Sequence, residues 1–227
     1  MGQSFTLMTA NLLHDRCDAG AFKGLIEKVG PDIVVAQELG NQCAQILTDH
    51  YPYHHVRPAH DFTGRGIASR LPAEFGDIAM PVREATWALV MLGSRVLRLV
   101  GMHLVNPIEF PQWRSVRRRG KQLEALFEWT DSADDDVPLI VAGDMNASPS
   151  WPAYRMMSER WSDLVVEATS AVDSSPEATW GWRPGWPRML RIDHVFGMGV
   201  HSKGARVEAI PGSDHHAVIV DVEFFST

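Results

Sequence analysis

Short apolar or alternating runs recur along the whole chain, at residues 4–10, 32–37, 65–70, 86–92, 95–102, 138–142, 191–196, 205–210 and 216–224. Runs of this length, several of them apolar without a break, read as strands. Helical patterns fall between some of them. Residues 18–29 start at an acidic cap candidate, Asp18, and stop before Gly30-Pro31. Residues 41–49 and 150–160 read as shorter helices. Residues 111–130 open with proline and carry Val116, Leu123, Leu126 and Phe127 at helix spacing, with Gly120 a weak point in the middle. Strands recurring with a few interspersed helices predict a mixed α and β fold with more than one sheet face buried.

No linker divides the sequence, so residues 1–227 are expected to form a single domain. A length of 227 residues with 45% hydrophobic content suffices for one sizeable core. DSADDD at 131–136 reads as a solvated loop. SSPEATWGWRPGWP at 174–187 is a longer irregular segment, and such loops are uncommon unless functional. No run approaches the roughly 20 apolar residues of a membrane-spanning helix. The start, MGQSFTLMTANLL, lacks the basic opening and apolar run of a signal peptide. The expectation is a cytoplasmic protein without a membrane span, monomeric by default. Cys17 and Cys43 form no CxxC pattern and imply no disulfide framework. A formal net charge of -7 disfavours strong nonspecific binding to nucleic acid, unless a local basic patch or bound divalent cations reverse the field.

The polar residues at the strand ends carry the chemistry. Asn11 follows TLMTA, Gln37-Glu38 follows DIVVA, and His103 follows RLVGM. Asp144 and Asn146 follow LIVAG, Asp193 sits inside RIDHVF, and Asp214-His215 comes just before AVIVDVEF. Each alone has an ordinary reading: a helix cap for Glu38, a turn for Asp144 and Asn146, a salt-bridge partner for Asp193. An ordinary account of all of them needs a separate coincidence for each. If the strand ends converge, the groups suit metal-assisted hydrolysis. Glu38 is a hard oxygen ligand of the kind Mg²⁺ takes, and Asn11 adds an oxygen without charge. Asp144 can orient or deprotonate a water, and Asn146 can donate to a phosphoryl oxygen. His215 beside an aspartate can stay charged against a phosphate. His103 can protonate a leaving oxygen. Strand alternation points Asp193 opposite to His194, so Asp193 is the site candidate and His194 packs or pairs elsewhere.

The order TANLL, AQE, a mid-chain strand ending in His103, GDMNASP, RIDHVF and GSDHH resembles the endonuclease/exonuclease/phosphatase superfamily, from about residue 5 to residue 224. Members include pancreatic-type deoxyribonuclease, abasic-site endonucleases, inositol polyphosphate 5-phosphatases and neutral sphingomyelinases. TWGWRPGWPRMLRIDHVFG looks most like bacterial members of uncharacterised substrate. The resemblance implies an α+β fold, a four-layer α/β/β/α sandwich of two packed mixed sheets flanked by helices. It implies Mg²⁺, with Mn²⁺ as the substitute, held by Glu38 with Asn11 close by and Asp214 as a further ligand. Asp144 resembles the residue that positions the attacking water, and Asn146 the phosphate-contacting amide. His215 resembles the histidine on the scissile phosphate, paired with Asp193. His103 resembles the general acid of the deoxyribonuclease and sphingomyelinase branches. His216 has no counterpart in that pattern.

The substrate stays open at this level. Arg114, Arg117, Arg118, Arg119 and Lys121 form a basic cluster, read first as a solvated helix face opposite Val116, Leu123 and Leu126, and second as a phosphate-binding face. Trp180, Trp182 and Trp186 either pack their own loop, stack on a base or meet a lipid interface. The leading expectation is a phosphodiesterase or nuclease acting by in-line attack of water. The alternatives are a phosphatase or phosphodiesterase for a small or lipid phosphoester, and a catalytically silent binding module on the same fold.

Overall fold

The runs SFTLMTANLLH and IVVAQEL have almost no side fit for water. In the computed structural model, which describes residues 3–108, 112–132 and 136–225, they become the adjacent strands β1 (Ser4–His14) and β2 (Ile33–Leu39), paired in parallel. A parallel pair needs a crossover, and α1 (Ala19–Val29) supplies it. Asp18 caps α1 by accepting from the Ala21 amide, and Gly30 closes it with a left-handed φ of 63°. Next come α2 (Asn41–His50), β3 (Tyr53–Arg57) and β4 (Arg65–Ser69).

The second sheet repeats the device. After β5 (Ala73–Ile78) and β6 (Ala85–Leu92), strand β7 (Arg95–His103) crosses through α3 (Gln112–Asp131) to a parallel partner, β8 (Leu139–Asp144). Helix α4 (Pro152–Ser158), the two-residue β9 (Ser162–Asp163), α5 (Leu164–Ser170) and β10 (Asp193–Met198) follow. The chain then returns through β11 (Val200–Ala209) and β12 (His216–Phe224) to the first sheet. The sheets have six strands each, in the orders β11-β12-β1-β2-β4-β3 and β5-β6-β7-β8-β10-β9.

Alternation along the strands builds three cores. Leu7, Val35, Ile67, Leu99, Ala142 and Val220 meet between the sheets. Their neighbours Met8 and Val34 face outward against Phe22, Ile26 and Leu47 of α1 and α2. Val100 and Val141 face outward on the other side, against Leu123, Leu126 and Met157 of α3 and α4. This is the expected four-layer α/β/β/α sandwich. Each fully buried Leu, Val or Ile stabilises it by about 2 kcal/mol relative to exposure.

Every run read as a strand is one, with shifted limits: 191–196 becomes Asp193–Met198, and 205–210 widens to Val200–Ala209. The sequence reading misses β3 and β5, edge strands whose mixed exposure leaves no clean alternation. It also misses β9, too short to show a period, and α5, whose LVV start mimics a strand. The expected helix start at residue 111 and residues 133–135 of the expected loop lie outside the described residues.

Asp163 joins these unforeseen elements to the RIDH strand. Its Oδ1 caps α5 by accepting from the Val165 and Val166 amides, at 3.0 and 3.2 Å. Its Oδ2 accepts from Arg191 at 2.7 Å and from the Tyr154 hydroxyl at 3.0 Å. Burial opposes its charge, but His194 and Arg191 outweigh burial and hold the carboxyl well below its ordinary range. Asp163→Asn should lower the unfolding free energy by about 3 kcal/mol at pH 7, the cost of breaking a buried ion pair. A depressed carboxylate contributes fully above its unfolded pKa of about 3.9 and loses that contribution as pH falls toward the folded value. Urea denaturation of wild type and variant should therefore show the gap narrowing below about pH 4; a gap unchanged down to pH 3 contradicts this assignment.

Candidate active site

Parallel strands end at the same edge, and so do the starts of their antiparallel neighbours. The rim beyond the C-terminal ends of β1, β2, β7 and β8 is therefore also where β10 and β12 begin. Register brings the residues together: His103 lies opposite Asp144 across β7 and β8, and Asp193 lies opposite Asp144 across β10 and β8. The β7–β8 approach is tight at Gly143, where φ is 146° and a Cβ would sit 2.0 Å from the Met102 carbonyl oxygen. No other residue fits there.

Asp144, 1% exposed, is the hub. Asn11 Nδ2 donates to its Oδ2 at 3.1 Å, and Asn146 Nδ2 does so at 3.3 Å. His103 Nε2 lies 3.3 Å from Oδ2 and His215 Nε2 lies 3.7 Å from it. Oδ1 accepts from the Asn146 amide at 2.8 Å. Burial disfavours the charge, but His215, His103 and that amide outweigh it, so the carboxyl stays far below its ordinary pKa. On its other side His215 Nδ1 lies 2.9 Å from Asp193 Oδ2. Burial again works against the charged ring, but Asp193 and Asp144 prevail and push His215 up to about 10. His215 is thus an imidazolium at neutral pH, clamped between two carboxylates. His216 goes the other way, lowered to about 4 by burial, Arg188 and His215, and its amide donates to the Thr179 carbonyl at 2.7 Å.

Glu38 joins the group through Asn11, whose Nδ2 also donates to Glu38 Oε1 at 3.3 Å, and through His103 Nε2 at 3.8 Å. Its second oxygen, Oε2, is buried without a hydrogen bond, as is Asp214 Oδ1. Orphaned carboxylate oxygens fit a hard divalent cation, which this rim could hold, whereas Asn11 turns its Nδ2 toward Glu38 and Asp144 and its Oδ1 accepts from the Leu13 amide at 3.1 Å. Asp144, Asp193 and His215 also bring ligand atoms within 4.8 Å of one another. In that trio, however, Asp193 is already engaged by His215 Nδ1 at 2.9 Å and Asp144 by Asn11 and Asn146. The position beside Glu38 fits a cation better.

The expected residues are not equally placed. Asn11, Glu38, His103, Asp144, Asn146 and His215 gather. Asp193 stands behind His215 and does not line the cleft. Asp214 lines the cleft, but its carboxylate accepts from Trp180 Nε1 at 3.1 Å and has no hydrogen bond with Asn11 or Glu38. His194 points away, donating through Nε2 to the Ala147 carbonyl at 2.8 Å.

Several site residues went unread in the sequence. His14 Nε2 lies 3.1 Å from Glu38 Oε2. The half-buried Arg83 donates to the Leu104 carbonyl; burial lowers its pKa, and Asp144, Glu38 and Asp61 partly oppose that. Thr179 donates to Asp193 Oδ2 at 2.6 Å and orients the Asp193–His215 pair. Ser213 donates to the Asn11 carbonyl and accepts from the His215 amide. A cleft of about 350 Å³ opens over this floor, walled by Phe62, Trp151, Trp180 and Trp182. Trp182 and Trp186 are exposed, so the tryptophans do not simply form the core of their own loop.

Backbone strain gathers here. Leu13, His14, Glu38 and Asn146 have φ of 48°, 57°, 46° and 45°, and Val82, next to Arg83, has 75°. Left-handed non-glycine residues cost about 1–3 kcal/mol each and concentrate at functional sites.

The model of the Endonuclease/Exonuclease/phosphatase family matches residues 8–215. No curated protein sequence matches the chain significantly. Among solved structures, an endonuclease/exonuclease/phosphatase from Beutenbergia cavernae DSM 12333 is 19% identical with a TM-score of 0.74, covering 98% of this chain and 72% of its own. D. rerio TDP2 complexed with a single-strand DNA product is 18% identical, with a TM-score of 0.73 and coverages of 97% and 99%. The human Nocturnin catalytic domain with bound sulfate is 18% identical, with a TM-score of 0.69 and coverages of 99% and 96%. At these identities the structures share the fold.

One correction concerns the basic cluster. Leu123 and Leu126 of α3 face the core as expected, but Val116 is 51% exposed and Arg119 is buried. The helix turns Ser115, Arg119 and Gln122 inward instead, because polar groups of the rim need them. Arg119 Nη1 donates to the Asn146 carbonyl at 2.9 Å, Gln122 Oε1 accepts from the Val105 amide, and Ser115 donates to the Asn106 carbonyl. Arg114, Arg117, Arg118 and Lys121 face outward. Arg119→Leu should therefore cost about 2 kcal/mol in urea denaturation, while Arg117→Leu should change stability by less than about 0.5 kcal/mol. Equal effects would mean that the cluster acts as one surface.

Proposed function

The chain belongs to the endonuclease/exonuclease/phosphatase family, and on that premise we propose that it is a divalent-metal-dependent phosphodiesterase cleaving by in-line attack of water. The observation that carries this reading is the set of groups around Asp144: an amide from β1, histidines from β7 and from the loop before β12, and an amide just past β8, all within 3.7 Å of one oxygen. A structural aspartate needs two or three donors. Here the donors also open onto a cleft.

In this reading Glu38 would hold a Mg²⁺ or Mn²⁺ ion, with Asn11 beside it and Asp214 as a further ligand. The cation supplies Lewis-acid charge neutralisation to the phosphoryl group. Asp144 orients the attacking water, and its depressed pKa keeps it an acceptor. His215, charged at neutral pH and fixed by Asp193, meets the equatorial phosphoryl oxygens as charge builds on them. Asn146 donates to the same group. His103 delivers a proton to the leaving oxygen.

A nucleic acid is the leading substrate class. Exposed Trp182 and Phe62 line the cleft, and the Arg83 guanidinium lies 5.7 Å from the Phe62 ring centroid, groups suited to stacking a base and meeting a phosphate. TDP2, of the same fold, is complexed with a DNA product. A small or lipid phosphoester is the second reading, favoured by the net charge of -7. A silent binding module is the third.

A panel of single- and double-stranded DNA, RNA, inositol phosphates, phospholipids and bis(p-nitrophenyl) phosphate separates these readings. Turnover should require Mg²⁺ or Mn²⁺, vanish in EDTA, and fall about 10³-fold in Asp144→Asn and in His215→Ala. Turnover that survives EDTA, or variants with wild-type rates, would sink the proposal. Turnover of lipid or inositol phosphates without nuclease activity moves the substrate to the second reading. Failure to bind either metal favours the third.

A further inference from the structure

The proposed activity leaves His14 without a role, although it touches the carboxylate most concerned with the cation. Its Nε2 lies 3.1 Å from Glu38 Oε2. The Glu38 side chain is 9% exposed, and Oε2 makes no hydrogen bond despite this short contact. Close approach without hydrogen-bond alignment is unusual for a paired histidine and carboxylate. It is ordinary for two ligands that share a third partner. In an octahedral shell with bonds of about 2.1 Å, neighbouring ligand atoms sit about 3 Å apart.

The backbone is bent to produce the contact. The β1–β2 register shifts between Asn11 and His14. Leu13 and His14 are both left-handed, and so is Glu38 on the facing strand. Leucine gains nothing locally from that conformation, which histidine adopts more readily. Its effect is to bring Nε2 of His14 against Oε2 of Glu38, which lines the cleft, with the His14 and Phe62 ring centroids 4.9 Å apart in an edge-on arrangement.

We propose that His14 is a nitrogen ligand of the cation that Glu38 would hold, so that this chain's centre prefers Mn²⁺ to Mg²⁺. This rests on the reading of the rim as a divalent-cation site. It adds to that reading an imidazole, a donor that transition-metal ions accept far better than Mg²⁺ does. His103 Nε2 lies 3.3 Å from Asp144 Oδ2 and 3.8 Å from Glu38 Oε1, which makes it the control histidine.

Mn²⁺ bound to the whole protein can be followed by electron paramagnetic resonance, with spin-echo modulation reporting directly bonded ¹⁴N. Wild type should show a histidine nitrogen coupling and should bind Mn²⁺ at least tenfold more tightly than Mg²⁺ in competition. His14→Gln should lose the coupling and most of the preference, while His103→Gln keeps both. If His14→Gln does not fold by circular dichroism, His14→Ala replaces it, and the wild-type spectrum already decides whether any nitrogen is bound. Bound Mn²⁺ with no nitrogen coupling overturns the proposal and leaves the cation site standing. A coupling that persists in the His14 variant assigns the nitrogen elsewhere and also overturns it. No Mn²⁺ bound at all defeats both this proposal and the reading of the rim as a cation site.

Discussion

A buried carboxylate must be compensated or the fold that buries it fails, and Asp144 is compensated from both sheets. An unpaired charge at that depth would cost several kcal/mol. Asn11 reaches it from β1 in one sheet, His103 from β7 in the other, and His215 from the turn into β12. Ser213 closes the circuit by tying the Asn11 carbonyl to the His215 amide. The packing of one sheet on the other and the geometry of the site are therefore one constraint. The apolar core between the sheets brings the strands together but is tolerant of small slips. The hydrogen bonds to Asp144 are not, because they depend on a distance near 3 Å.

The sandwich can carry such a group because it has stability to spare elsewhere. The three apolar cores pin the strands on both faces, while the rim holds left-handed residues and carboxylate oxygens without hydrogen bonds. Leu13 and Val82 show the division most clearly. Neither is a residue type that favours a positive φ, and each sits next to a group facing Glu38, His14 in one case and Arg83 in the other.

Much of this was legible because the strands are buried on both sides. In IVVAQEL or LIVAGD a polar residue is conspicuous, and its place at the end of the run gives its place on the rim. Asn11, Glu38, His103 and Asp144 could be read that way. His14 could not, since reaching Glu38 takes a register shift and two left-handed residues that no strand pattern encodes. Arg83 and Thr179 come from loops whose path only the folded chain defines. Asp214 shows the opposite limit: its position in the motif was readable, but its hydrogen bond to Trp180 was not. On α3 the error was one of phase. Counting apolar residues turned Val116 inward, whereas the rim's need for Arg119 and Gln122 turned it outward. Asp163 escaped notice because β9 is only two residues long.

The electrostatics of the cleft bear on how an acidic protein could accept an anionic ester. Glu38, Asp144, Asp193 and Asp214 are set against the charges of His215 and Arg83. His215 already shares its charge between Asp193 and Asp144, and Arg83 is drawn on by Asp144, Glu38 and Asp61. Without another cation the field at the cleft floor repels phosphate. A divalent ion beside Glu38 would offset it, so metal and substrate should bind cooperatively, each favouring the other by the same factor. The outward cations of α3, Arg114, Arg117, Arg118 and Lys121, line a separate shallow groove with Trp113 and share no lining residue with the cleft. Capture of the ester would then fall to a bound cation and to the few fixed groups around Asp144, without help from the basic residues of α3.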